Sequence, residues 1–439
     1  MAFNFVFIVL ACLCAVQRTL QLQIVPGATL TAVNTGQHVQ AHGAGFIKVG
    51  DLYYMIGEDK ASGSNFQNVN CYSSPNLAEW TYVGALVSRG ASGDLGPGRV
   101  VERPKVIYNR QTKKYVLYMH IDSGNYKEAK VGVATGDTVC GKYTYHGSYR
   151  PQGHQSRDMG LFQDTDGTGY LLAEDREAGL RIFQLSADYM NVTALTYLWK
   201  EKYEAPAILK RGSTYYMFAS HLSGWNSNDN IYSTATKMTG PWSGWKTFAP
   251  SGSKTLNSQT AYILTPDENT AIYMGDRWIE KDLSRSTYVW HPLKVNGNTV
   301  TMENHEYWNP PVGATGQAGQ EVTYAAKDAI LKSVAKMSNG AAGYIGGPDN
   351  GSITFSAIRS SSNQRRTLKI YYGSGDKAPR YASVTVNDDK PQKVQFLSTE
   401  SGRGISVVSV DLRAGKNTIT ISSFNGGWGP DIASLKVAE

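Results

Sequence analysis

Apolar and polar residues alternate with a period of two in five paired segments, each pair joined by a short polar turn, in most copies rich in Gly, Asn or Asp. The clearest copies are residues 45–58 (GFIKVGDLYYMIGE), 106–120 (VIYNRQTKKYVLYMH), 161–173 (LFQDTDGTGYLLA), 208–219 (ILKRGSTYYMFA) and 262–275 (YILTPDENTAIYMG). Such alternation predicts half-buried strands, and the turns between them predict hairpins. The copies start roughly 50 residues apart, a spacing typical of propeller blades. Several are followed by a second strand pair, as in residues 69–83 (VNCYSSPNLAEWTYV). Four short strands repeated five times predict a five-bladed β-propeller. The inner strands of different blades then aim side chains at one central channel, where chemistry is expected.

The repeat fades after Trp278. Residues 304–320 (NHEYWNPPVGATGQAGQ) are rich in Pro, Gly, Asn and Gln, the composition of a linker. Short strands then follow closely at 352–357, 366–372, 382–386, 393–397, 405–412, 417–422 and 433–437, which predicts a β-sandwich. The expected class is all-β, with a propeller over residues 21–310, a linker at 311–320 and a sandwich over 321–439.

Composition adds the setting. The 439 residues include 27 Tyr and 9 Trp but only 18% charged residues. That balance suits secreted sugar-handling proteins, although any all-β chain tends to be Tyr-rich. The net charge of +7 is spread along the chain without a Lys/Arg run, so nucleic acid is not an expected partner. The apolar run at residues 3–16, followed by Gln17, Arg18 and Thr19, is too short to span a bilayer and sits where a secretory signal sits. It lacks a preceding Lys or Arg. A signal over residues 1–20 and an extracellular, soluble, monomeric protein are expected, with no membrane partner. Cys71 and Cys140 then remain in the mature chain, either as one disulfide or as two buried thiols. Asn191-Val192-Thr193 and Asn350-Gly351-Ser352 fit the glycosylation triplet.

Three acids stand just before consecutive repeats: Glu102 in Glu102-Arg103-Pro104-Lys105, Asp158 in Ser156-Arg157-Asp158-Met159-Gly160, and Glu204 in Tyr203-Glu204-Ala205-Pro206. One acid at a strand start is commonplace. Three at equivalent positions converge on the axis of a propeller.

Ser156-Arg157-Asp158 followed by Leu161-Phe162-Gln163-Asp164 and Asp166-Gly167, together with Glu204-Ala205-Pro206, resembles the signature of glycoside hydrolase family 43. Gln40-Ala41-His42-Gly43-Ala44-Gly45, Glu102-Arg103-Pro104-Lys105-Val106 and Tyr273-Met274-Gly275-Asp276-Arg277-Trp278 are similar to its fungal exo-β-1,3-galactanase group. The resemblance implies release of galactose from the non-reducing end of β-1,3-galactan with inversion and without a catalytic cofactor. It makes Glu204 the general acid and Asp158 the neighbour that keeps it protonated. Most members carry a basic Asp on the first inner strand, whereas residues 41–45 here hold no carboxylate. The group assigns the water-facing role to a Gln, which matches Gln259, and Glu102 is the other candidate. An amide positions water better than it takes a proton. Glu58, Tyr126, Asp276 and Trp278 would line the sugar pocket, and His42 would be structural or a sugar contact.

Residues 321–439 resemble carbohydrate-binding module family 35 through Tyr324-Ala325-Ala326-Lys327-Asp328-Ala329, Gly343-Tyr344-Ile345-Gly346, Ile370-Tyr371-Tyr372-Gly373 and Gly429-Pro430-Asp431-Ile432. This implies sugar binding by Tyr344, Asp376, Asn425 and Trp428. It also implies a structural calcium held by Asp431 with Glu321 or Asp328. The rival readings are an α-L-arabinofuranosidase or β-xylosidase of the same family, and a catalytically inactive carbohydrate-binding protein.

Overall fold

The computed structural model describes residues 22–310 and 321–438. The expected signal over 1–20 and the linker at 311–320 lie outside the described residues. The protein is all-β. Five four-stranded antiparallel sheets follow one another along the chain, at residues 42–88, 99–149, 159–198, 203–247 and 259–302, each with its strands in chain order. This is consistent with the expected propeller.

Apolar side chains seal each sheet against the next. Ile56 and Cys71 of the first sheet meet Val101 and Leu117 of the second. Tyr118 and Val131 meet Leu161 and Phe183 of the third, and Leu172 and Ile182 meet Met217 and Ile231 of the fourth. Leu209 and Phe218 meet Tyr273 and Leu293 of the fifth. Met274 and Trp290 return to Phe46 and Met55 of the first, which closes the ring. The repeat does not end at Trp278. Thr287–Asn296 and Thr299–Met302 complete the fifth sheet. The first half of Thr287–Asn296 is buried throughout, so it shows no polar alternation to read.

The remaining strands form a seven-stranded and a five-stranded sheet. Their inward side chains, including Ile353, Phe355, Leu368, Ile370, Ile419 and Leu435, share one apolar cluster. All seven strands read from the sequence lie in these sheets. Glu321–Ala325, Ile330–Lys332, Lys336–Ser338 and Ala341–Gly343 are additional; they are short, and Lys336–Ser338 is exposed throughout. A further addition comes from the other end of the chain. Thr29–Leu30 pairs in parallel with Gly404–Leu412. The Gln23 backbone N–H donates to Thr367 Oγ1 at 2.8 Å, and the His38 N–H donates to Gln395 Oε1 at 2.7 Å. Val25, Ala28 and Val407 bury one another beneath this seam. Among the described residues no helix is long and apolar enough to cross a membrane.

Cys71 and Cys140 form a disulfide between the first two sheets, with Cα atoms 5.8 Å apart and a sequence separation of 69. Closing a loop of that length restricts the unfolded chain by roughly 4 kcal/mol. The double variant Cys71→Ser/Cys140→Ser should lose about that much in chemical denaturation; a loss under 1 kcal/mol would contradict this role. The shared seam predicts a single cooperative calorimetric transition for the intact protein. Two well-separated transitions would show that the halves unfold independently.

Candidate active site

The first strands of the sheets are bent where they reach the axis. Register slips by a bulge between His42 and Gly45, Glu102 and Lys105, Glu204 and Ala207, and Thr260 and Tyr262. At the first three the residue after the leading side chain has positive φ: Gly43 (55°), Arg103 (52°) and Ala205 (53°). Bulges of this kind re-aim side chains. Here they turn Glu102 and Glu204 into a common cavity. Gly43 admits no substitute, because a Cβ there would come within 2.2 Å of Glu58 Oε1.

Two polar rings result. The inner-strand ring is His42, Glu102, Asp158, Glu204 and Gln259. The second strands end in Glu58, His120, Glu174, Ser220 and Asp276, each directly beside its inner-ring partner. Sequence reading found the inner ring but did not give Lys60, Arg103, His120, Arg157, Glu174, Arg176 or Trp225 a role. The repeat itself carried the signal for His120 and Glu174. Each follows its partner by the same 16–18 residues that separate His42 from Glu58 and Gln259 from Asp276.

A cavity of about 190 Å³ opens at the axis, bounded by Glu58, Glu102, Arg103, His120, Tyr126, Arg157, Asp158, Arg176, Glu204, Gly224, Trp225, Gln259 and Trp278. Seven of the expected site residues therefore meet in one place: Glu58, Glu102, Tyr126, Asp158, Glu204, Gln259 and Trp278. Asp276 does not line it. Its carboxylate accepts from His42 Nδ1 and from the Gly43 N–H, both at 3.0 Å, so it anchors the start of the first sheet instead.

Glu204 is buried. Its Oε1 accepts from Gln259 Nε2 at 2.8 Å, and its Oε2 lies 3.5 Å from Arg176 Nη2. Burial, with Asp158 and Glu174 close by, raises its pKa well above the carboxylate range, against the pull of Arg103 and Arg176. Asp158 pairs with Arg103 Nη2 at 2.8 Å. Gln259 Oε1 accepts from Trp278 Nε1 at 2.9 Å and from Arg103. Inversion needs room for water between the acid and the water-side group, but Gln259, expected in that role, touches Glu204. Its carbonyl oxygen is already held by two donors, and its amide touches the acid, which leaves no room for water between them.

Glu102 sits in the opposite electrostatic setting. Burial favours its neutral form, but Lys60, His120 and Tyr126 together hold it ionised, well below its ordinary pKa. Its Oε1 accepts from Tyr126 Oη at 2.9 Å and from Lys60 Nζ at 3.2 Å. Lys60 also pairs with Glu58 at 2.7 Å. Burial alone would lower the His120 pKa; the flanking Asp122 and Glu102 carboxylates reverse this and lift it to about 9. Trp225 meets Trp278 edge-on with ring centroids 5.0 Å apart, forming an aromatic wall. Asp158, Glu174 and Glu204 have carboxylate oxygens within 4.8 Å of one another, close enough to share a cation; Arg103 and Arg176 already supply positive charge there.

The profile of Glycosyl hydrolases family 43 matches residues 41–288. The chain belongs to that family. Among solved structures, the exo-β-1,3-galactanase of Phanerochaete chrysosporium crystallised with galactose is 35% identical, with a TM-score of 0.67, covering 94% of this chain and 100% of that one. A variant of that enzyme with β-1,3-galactotriose matches with the same identity, coverage and TM-score. The exo-β-1,3-galactanase of Clostridium thermocellum is 25% identical, with a TM-score of 0.63, covering 94% of this chain and 100% of that one. No curated protein matches. This family 43 glycoside hydrolase therefore carries its acids around the axis of its sheets.

A second cleft, of about 690 Å³, lies among the C-terminal strands and includes Tyr344, Asp376, Trp428 and Asp431. Tyr344 and Trp428 are 52% and 42% exposed, with ring centroids 6.1 Å apart. Asn425 is exposed but does not line the cleft. Glu321 and Asp431 do not form one calcium site. Glu321 pairs with Ala438, and Asp431 lies seven residues back along the same strand, about 23 Å away. Glu321 is also neutralised by the buried Lys369.

Lys60→Met tests the charge balance. It strands Glu58 and Glu102 as adjacent buried carboxylates and should destabilise the fold by about 3–5 kcal/mol at pH 7. Denaturation at pH 7 and at pH 4 should show the deficit shrinking as these acids protonate. A pH-independent deficit would contradict the assignment.

Proposed function

We propose that this protein is a secreted exo-acting hydrolase that removes galactose from the non-reducing end of β-1,3-galactan with inversion. The observation carrying the reading is a one-sugar-sized cavity containing a buried, protonated Glu204 and a firmly ionised Glu102. The named substrates and ligands of the similar enzymes supply the sugar. Five sheets closed into a ring support a five-bladed propeller. Two sheets around one core support a C-terminal sandwich, whose Tyr344–Trp428 cleft would hold polymer. The leading apolar run and the Cys71–Cys140 disulfide support secretion.

In this mechanism galactose occupies the cavity against the Trp225–Trp278 wall, with Glu58, Glu102 and Tyr126 receiving its hydroxyls. Glu204 donates its proton to the glycosidic oxygen as the bond to the anomeric carbon breaks. Water adds to that carbon from the opposite face, and its proton passes to a carboxylate. Glu102 is the better water-side group, because Gln259 is bonded to the acid itself. Gln259 instead orients Glu204, with Arg103 and Trp278 fixing its carbonyl. No step calls on a cofactor.

Glu204→Gln should lower kcat on β-1,3-galactan by at least about 10²-fold while galactose binding and thermal stability persist. Near-normal turnover would remove Glu204 from the acid role. NMR of the first product formed should show α-galactose; a β-anomer would exclude inversion.

A further inference from the structure

The acid is crowded from behind by a carboxyl group that does not reach the sugar. Glu174 is 1% exposed, directly follows the strand Gly169–Ala173, and does not line the cavity. Its Oε2 accepts from the Asp158 backbone N–H at 3.2 Å. Its Oε1 accepts from Arg176 Nε, and the same guanidinium leaves its Nη2 3.5 Å from Glu204 Oε2.

The charged groups facing Glu204 are Asp158, Glu174, Arg103 and Arg176. Arg103 is committed to Asp158, Gln259 and the Thr260 carbonyl. Arg176 is the more exposed of these two cations, its side chain being 47% exposed. A full pairing of Arg176 with Glu204 would stabilise the carboxylate and drain the proton that the reaction needs. Arg176 bridges the two acids, and Glu174 weakens the pairing with Glu204 by taking the close bond, which leaves Glu204 a long one of 3.5 Å.

We propose that Glu174 is a positioning residue that takes the close bond of Arg176, leaving Glu204 only a long one, and places a second buried carboxyl beside it, so that Glu204 keeps its proton. This rests on the reading of Glu204 as the acid. Burial and Asp158 also raise the Glu174 pKa, so Glu174 and Glu204 form a linked pair in which a proton on one eases ionisation of the other.

Glu174→Gln preserves shape and an oxygen for the Asp158 N–H, but releases Arg176 and removes the charge. The test is a titration of Glu204 by ¹³C NMR in protein carrying δ-¹³C glutamate, with Glu204→Gln assigning the signal. In Glu174→Gln the Glu204 titration should move down by about one pH unit or more. The alkaline limb of kcat/KM should move with it. Arg176→Gln should move both upward, because the nearby cation is gone. A structural role alone would lower activity without moving the titration. An unmoved Glu204 titration in folded Glu174→Gln overturns the proposal. Should that variant fail to fold, an unmoved titration in Arg176→Gln does so. Because the NMR readout needs no turnover, a wild-type protein inactive on galactan would refute the galactanase reading and leave this test intact.

Discussion

Arg103 is the buried cation on which the axis of this molecule depends. It comes from the second sheet, yet its guanidinium grips Asp158 before the third sheet and Gln259 and the Thr260 carbonyl of the fifth. Its backbone N–H, turned by a positive φ, donates to Glu58 Oε1 of the first sheet at 2.8 Å. One residue thus ties four sheets together at the point where apolar packing stops. A buried guanidinium is tolerated only when its donors are matched, so the sheets must close in one register for Arg103 to be satisfied. The face of Trp278, 5.8 Å away, completes its surroundings.

The same constraint separates the two sides of the cavity. On one side Lys60 and the His120 imidazolium stand beside Glu102, which stays ionised. On the other, Asp158 and Glu174 take the close bonds of the nearby guanidinium groups, and Glu204 keeps an amide and one long bond of 3.5 Å from Arg176. Two glutamates of identical intrinsic acidity are driven apart because cations dominate around one and burial with carboxylates dominates around the other. A proton donor and a permanent anion facing the same small cavity are the minimum equipment for glycoside hydrolysis. Residues 41–45 hold no carboxylate, and Glu58 Oε1 occupies the space beside Gly43.

Beyond the axis, the N-terminal segment binds the two halves into one body. Thr29–Leu30 extends the seven-stranded sheet, while His38 reaches the Ser286 carbonyl on one side and, through its backbone, Gln395 on the other. Arg285 pairs with Glu400, on the rim of the C-terminal cleft. That cleft is therefore held in a defined position on the body that carries the axial cavity.

Strand pairs with alternating faces are local facts, and so are turns of Gly, Asn and Asp; the five hairpins and seven C-terminal strands were legible from them alone. Glu102, Asp158 and Glu204 were legible because the repeat puts them at equivalent points, and Gln259 through the family resemblance. Thr287–Asn296 of the fifth sheet was not, since its first half is buried on both faces and has no alternation. Thr29–Leu30 was not, since two residues carry no period. Nor could spacing along the chain reveal that Gln259 touches Glu204, that Asp276 turns away to His42, or that Glu321 and Asp431 lie at opposite ends of a strand. The amino-acid order by itself determined which elements form and which residues face the axis, because those depend on neighbours a few positions apart. Only the tertiary structure decided which carboxylate keeps a proton and which loses it, because that depends on burial and on charges brought within a few ångströms from distant parts of the chain.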